Sequence, residues 1–225
     1  MSTFTGFSTE GLKFLTTLGT KDKVWFDANR TTYDTEVVPA AKAFVTAMGL
    51  TLGDRISPAI EAQPKTNGSI APINNDLRFS PDASPYKDHL MFRFWEGPTK
   101  KIAPTLMVRV SPTDGIGFAS GIMLADVDVW REKIADDKTG KAFAAELAKL
   151  VKSTKAEVVG EGLKKVPKPY DADHPRGDLL RHKGFQVRFS EKTPSSISSP
   201  SFVDWCVDRL VKMADVHRWL VENLA

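Results

Sequence analysis

The sequence predicts an α+β protein: an N-terminal helical hairpin, a mostly antiparallel sheet of about four to six strands, and helices packed on one face of that sheet. Three observations carry this expectation. Apolar residues recur at helical spacing up to Met48, alternate with period two from Leu90 to Met123, and return to helical spacing from Phe202 to Leu224. No internal repeat or break in composition divides the 225 residues, so a single domain over 1–225 is expected.

Ser8 is a candidate N-cap, with Phe7 and Leu12 at the two positions of a hydrophobic staple. Leu12, Leu15 and Leu18 follow at helical spacing, and Gly19 suits the helix end. Asp22 can cap a second helix, whose Trp25, Asn29, Tyr33 and Val37 lie one turn apart on a face expected to pack into the core. Pro39 kinks that helix or opens another, with Phe44, Val45 and Met48 inward. From about Gly49 to Lys87 five prolines and the Asn67-Gly68 and Asn74-Asn75 pairs work against regular helix.

Leu90, Phe92 and Phe94, then Leu106, Val108 and Val110, alternate with Arg93 and Arg109, giving two strands with one face buried. Pro112-Thr113-Asp114-Gly115 is a tight turn into a third, glycine-rich strand from Ile116 to Met123. Asp126 or Asp128 caps a helix through Trp130 and Ile134, and a further helix runs from about Lys141 to Lys152. Glu157-Val158-Val159 and Phe185 to Ser190 are strand candidates, and one amphipathic helix is expected from Phe202 to Leu224.

Composition excludes several classes. Hydrophobic residues at 41% and charged residues at 26% belong to a globular chain rather than a disordered or collagen-like one. The lone Cys206 cannot form an internal disulfide, which favours a reducing compartment. No apolar run reaches the roughly 20 residues of a membrane helix. No cationic start precedes an apolar stretch, so a cytoplasmic address is expected. One Cys and four His without paired spacing do not make a zinc site and no residue is assigned to a metal; carboxylate-bound Mg²⁺ stays open, and the cofactor is unknown from the sequence. A net charge of +3 is a weak field, so nucleic acid is not the expected partner. The run from Gly115 to Gly121 superficially resembles a dinucleotide loop, but it reads as a strand rather than a strand-to-helix turn.

Two segments stand out as candidate sites. From Asp76 to Lys87, two prolines fix the backbone around Arg78, Ser80, Tyr86 and Lys87, which lowers the entropy cost of aiming donors at an anion. The second, from Lys164 to Lys183, is turn-rich and concentrates the formal charge excess in Lys164, Lys165, Lys168, Arg176, Arg181 and Lys183. His174 beside Asp173 is the acid/base candidate, since imidazole titrates near neutrality; a surface or capping histidine is the plainer reading.

The same segments carry a resemblance. Phe4-x-Gly6-Phe7, Phe14-Leu15, Trp25-Phe26, Tyr33, Pro39 and Arg78-Phe79-Ser80-x-Asp82-x-Ser84-Pro85-Tyr86-Lys87 form one block. Gly160-Glu161-x-Leu163-Lys164-x-x-Pro167-Lys168-x-Tyr170-Asp171-x-Asp173-His174-Pro175, followed by Leu180-Arg181-x-Lys183, forms another. Together they resemble the family called domain of unknown function 2461, over nearly the whole chain. That resemblance implies an α+β protein and gives a location for a site rather than a reaction. Pro72, Asn75, Pro81 and Ala83 stand where the family usually has further basic residues, which implies a weakened anion cradle if the family's site is polybasic.

The leading expectation is one cleft between Arg78–Lys87 and Lys164–Lys183 that holds a small phosphate- or carboxylate-bearing ligand. Arg78, Lys87, Lys165, Arg181 and Lys183 would neutralise charge there, and Ser80, Tyr86 and Tyr170 would orient the ligand. The alternatives are a structural or interaction protein in which both segments are stapled by internal ion pairs, and a binder of nucleic-acid phosphates. The sequence names no reaction, ligand or oligomeric state.

Overall fold

The computed structural model describes residues 3–78, 84–124 and 126–225. Among these, the strands β1 (Leu90–Trp95), β2 (Thr105–Ser111), β3 (Gly115–Ile122), β4 (Glu157–Val159) and β5 (Phe185–Glu191) form a five-stranded antiparallel sheet in the order β1-β2-β3-β5-β4. Helices precede, interrupt and follow the strands, so the α+β class holds. The chain resolves into two compact units: Met1–Phe94, Met107–Gly117 and Ser190–Arg209 in the first; Trp95–Leu106, Phe118–Phe189 and Leu210–Ala225 in the second.

In the first unit, α1 (Thr9–Leu18) starts as the sequence predicts, the Ser8 hydroxyl accepting from the Gly11 N–H at 3.0 Å. Asp22 caps α2 (Lys23–Ala28) through the Trp25 N–H. The expected second helix then breaks at Asn29 into the single turn α3 (Arg30–Thr32) and a π-turn, Tyr33–Val37. Pro39 sits in the first turn of α4 (Val38–Arg55), where its missing N–H costs nothing. Trp25, Phe26 and Tyr33 gather around Phe14, the Phe26 and Tyr33 rings 5.4 Å apart; on the expected face Val37 is buried, while Trp25, Asn29 and Tyr33 are half-buried.

The proline-rich stretch after α4 is held by main-chain pairing. Ala71 N–H donates to Met91, Arg93 N–H to Ser69, Asn75 N–H to Pro85 and Lys87 N–H to Ile73, all at 2.8–2.9 Å. These bonds satisfy backbone groups that no helix or long strand serves. Phe4, Phe7, Phe44, Phe92 and Phe202 of α8 (Phe202–Val211) fill the centre of this unit, Phe44 lying 4.8 Å from Phe92. The N-terminal segment docks by Phe7 N–H to Ile197 and by the Ser198 hydroxyl to the Phe7 carbonyl.

In the second unit, α5 (Val127–Ala135) is capped by Asp126, which accepts from the Asp128 and Val129 N–H groups. It packs on α6 (Thr139–Thr154), α7 (Gly177–Leu180) and α9 (Ala214–Leu224). Trp130, Phe143, Phe185 and Trp219 form the core, Phe143 and Trp219 being 4.4 Å apart. Each indole N–H finds a carbonyl, Trp130 on Leu179 and Trp219 on Thr139. Glu157, Val158 and Val159 pair antiparallel with Arg188, Val187 and Gln186. The glycine run is strand, as expected, and a Cβ on Gly121 would lie 2.5 Å from the Phe185 carbonyl oxygen, so the backbones there approach too closely for a side chain.

A second expected element is corrected. The C-terminal helix is two helices, α8 and α9, which part at Lys212 and Met213. The stripe of Leu210, Met213, His217 and Leu220 is nonetheless buried, because the short break preserves the inward facing of its residues.

Candidate functional site

The first basic segment lies in the first unit and is tied down locally. The Arg78 guanidinium grips the Asp76 carboxylate through Nε at 2.9 Å and Nη2 at 2.6 Å, both residues exposed. Ser80 lies outside the described residues. Tyr86 is buried and stacked on Phe26 with centroids 4.7 Å apart, which makes it a core aromatic. The Lys87 ammonium donates to the Pro72 carbonyl at 2.7 Å and to that of Asn74, and burial pushes it below its ordinary value.

A further cluster adjoins Lys87 that the sequence reading did not assemble. The Asp88 carboxylate lies 2.7 Å from His89 Nδ1, so that nitrogen donates and carries the proton. Arg109 Nη2 lies 3.2 Å from the same nitrogen and donates to Asp114 at 2.8 Å. Burial lowers the His89 imidazole, and the guanidinium adds to this against the pull of Asp88. The signal was present in Asp88-His89 facing Arg109 across two alternating strands, but strand register is needed to pair them.

The second segment, in the second unit, is built of turns. The Lys168-Pro169 peptide is cis, Tyr170 N–H closes a turn on Pro167, and His174 N–H closes another on Asp171. Lys165 is exposed and Tyr170 half-buried. His174 Nδ1 accepts from the Arg176 N–H at 3.1 Å, so this ring is a turn cap leading into α7. Arg176 is buried and donates to the carbonyls of Ile134, Ala135 and Asp136, at the C-terminal end of α5, and to Asp137. It serves the core.

Arg181, His182 and Lys183 follow α7. Arg181 pairs with Asp178, and Lys183 with Glu161 at 3.3 Å. Gly162 bridges His182, while Leu163 N–H donates to the Arg181 carbonyl and Lys183 N–H to that of Glu161. These bonds aim the Arg181-His182 pair along one wall of a hollow of about 510 Å³. Its other lining residues are Leu147 from α6, Val158 from β4, Gly162, Leu163, Asp178 and Leu179.

His182 is the residue that sequence reasoning missed. Its Nδ1 is buried without a hydrogen-bond partner among the described residues. The backbone of Gly160, at φ +151°, packs so close that a Cβ there would stand 3.1 Å from that nitrogen and 2.2 Å from the Gly184 oxygen. Only glycine allows this approach. Burial pushes the imidazole below its ordinary value, Arg181 adds to the push, and Asp178 opposes it. The sequence signal was only the position of His182 beside Arg181 in the basic stretch.

Among the described residues no group of three or more His, Cys, Asp or Glu is placed to hold a metal ion. None of the described helices is long and apolar enough to cross a membrane.

The fold and this hollow define an α+β protein with a small, mixed apolar and cationic recess. The chain belongs to the family described as "Conserved hypothetical protein (DUF2461)", whose model matches residues 10–219. No curated protein and no solved structure matches it.

Proposed function

We propose that the chain binds a small molecule bearing a carboxylate or phosphate, seated in the hollow beside Arg181 and His182. The observation that carries this reading is a guanidinium and a neutral imidazole side by side on the wall of a recess of about 510 Å³. That volume lies within the roughly 300–1,000 Å³ of small-molecule clefts. Arg181 supplies the fixed charge and a planar fork of donors. His182 lines the same wall as an uncharged ring, so Arg181 is the charge that an anion meets there. Of the residues expected from the sequence, this reading uses Arg181 for neutralising charge and gives His182 the place of His174. The lone, buried Cys206 accords with a reducing, cytoplasmic setting.

One set of observations favours the structural reading: Arg78, Arg181 and Lys183 each have a carboxylate partner. The pairs are open to water, however, with the Asp178 side chain 91% exposed and that of Glu161 79%. Such pairs contribute about 0–1 kcal/mol, too little to be the reason for the residues. A ligand anion displaces Asp178 from Arg181 at small cost.

Thermal unfolding of the wild type and of Arg181→Gln, followed with rising inorganic phosphate and hexanoate, tests this. The wild-type midpoint climbs with at least one of the two, as binding to the folded state requires, and the variant stays flat. Equal climbs in both proteins, or none in the wild type, contradict the reading.

A further inference from the structure

We infer that the ligand is a monocarboxylate on an apolar chain, rather than a compact or multiply charged anion; the inference rests on the hollow being an anion site. Two features of the lining select this class. The first is its apolar share: Leu147, Val158, Leu163 and Leu179 come from four different places in the chain and converge on one recess. Val158 and Leu163 are only half-buried, so part of their apolar surface still meets water and gains from being covered.

The second is charge. The recess holds one guanidinium, one carboxylate and a neutral imidazole. A phosphate dianion would have a single cation to answer it and Asp178 to repel it. A monocarboxylate needs only the one guanidinium, and it takes the place that an Asp178 oxygen holds on Arg181 Nη2. Its tail then lies against the open parts of Val158 and Leu163, Leu147 and Leu179 being largely covered already. Sugar phosphates and nucleotides would leave hydroxyls and charges against those side chains without partners.

Calorimetric titration of the full chain with butyrate, hexanoate, octanoate and inorganic phosphate tests this. Affinity rises about fourfold for each buried methylene. Octanoate therefore binds well above butyrate, and phosphate binds more weakly than octanoate. Arg181→Gln weakens octanoate at least tenfold. Asp178→Asn, which removes the competing carboxylate from an exposed position, strengthens it. Phosphate binding above octanoate, or affinity indifferent to chain length, overturns the apolar-chain inference and leaves the anion site standing. Octanoate binding unchanged in both variants overturns it as well, since the uptake is then elsewhere. No heat with any of the four overturns the anion site itself.

Discussion

Arg176 Nε donates to the main-chain carbonyl of Ile134 at 2.6 Å, across 42 positions of the chain, and the two groups are buried together. Arg176 Nη2 continues the contact onto Ala135 at 2.8 Å, so one guanidinium satisfies successive carbonyls that α5 leaves open at its end. A cation at a helix C-terminus also meets the negative end of the helix dipole.

Arg176→Met strips those carbonyls of their donors inside the fold. The expected loss is about 2–4 kcal/mol, from buried acceptors left unmade. Urea unfolding followed by tryptophan fluorescence measures it; a change within 0.5 kcal/mol, about the range of an ordinary surface substitution, contradicts the role.

Gly140 lies beneath the same junction, in the first turn of α6, where a Cβ would stand 2.0 Å from the Ile134 oxygen and 2.9 Å from Arg176 Nε. Alanine in place of a helical glycine ordinarily stabilises by about 1 kcal/mol. Here the sign reverses, and Gly140→Ala lowers the unfolding midpoint through a loss of about 1–3 kcal/mol, the usual cost of overpacking. A raised midpoint contradicts the geometry.

Three histidines are held below the ordinary imidazole value of about 6.5, burial being the first cause for His89, His182 and His217 alike. Below that value the unfolded chain takes up protons that the folded chain resists, so stability is full above about pH 6.5 and declines as pH falls. His217 is the most enclosed, 1% exposed, with Glu96 3.4 Å from its Nε2. His217→Gln stays neutral throughout, so its midpoint drops less between pH 7.5 and 5.0 than that of the wild type. Equal drops contradict the assignment.

Cys206 is fully buried, and burial pushes its thiol well above the usual range. Because the thiolate is the reacting form, the native chain resists a disulfide reagent and releases its one equivalent only on unfolding in guanidinium chloride. Fast release from the folded protein contradicts this.

Local chemistry made much of the fold legible. Ser8, Asp22 and Asp126 cap the helices the sequence assigns to them, because a cap is decided within four residues. Period-two alternation placed β1 and β2 for the same reason. The π-turn at Tyr33–Val37 and the break at Lys212 and Met213 carry no proline or glycine to announce them. The candidate site was legible only as a basic stretch. Arg181 and its neighbours stood out as a basic stretch, but a list of cations does not tell which one faces a recess. Tyr86 read as a polar aimer and is a core ring on Phe26, since a loop tyrosine shows its burial only once Phe26 is placed beside it. His182 escaped notice because its value comes from the Gly160 backbone, 22 positions away.

The account turns on the hollow at His182, and ring-proton resonances of the four histidines during a hexanoate titration read it most directly. The predicted result is a saturable shift of the His182 ring that vanishes in Arg181→Gln, with His89, His174 and His217 unmoved. A His182 ring that stays still while binding saturates, or a shift confined to another histidine, contradicts it.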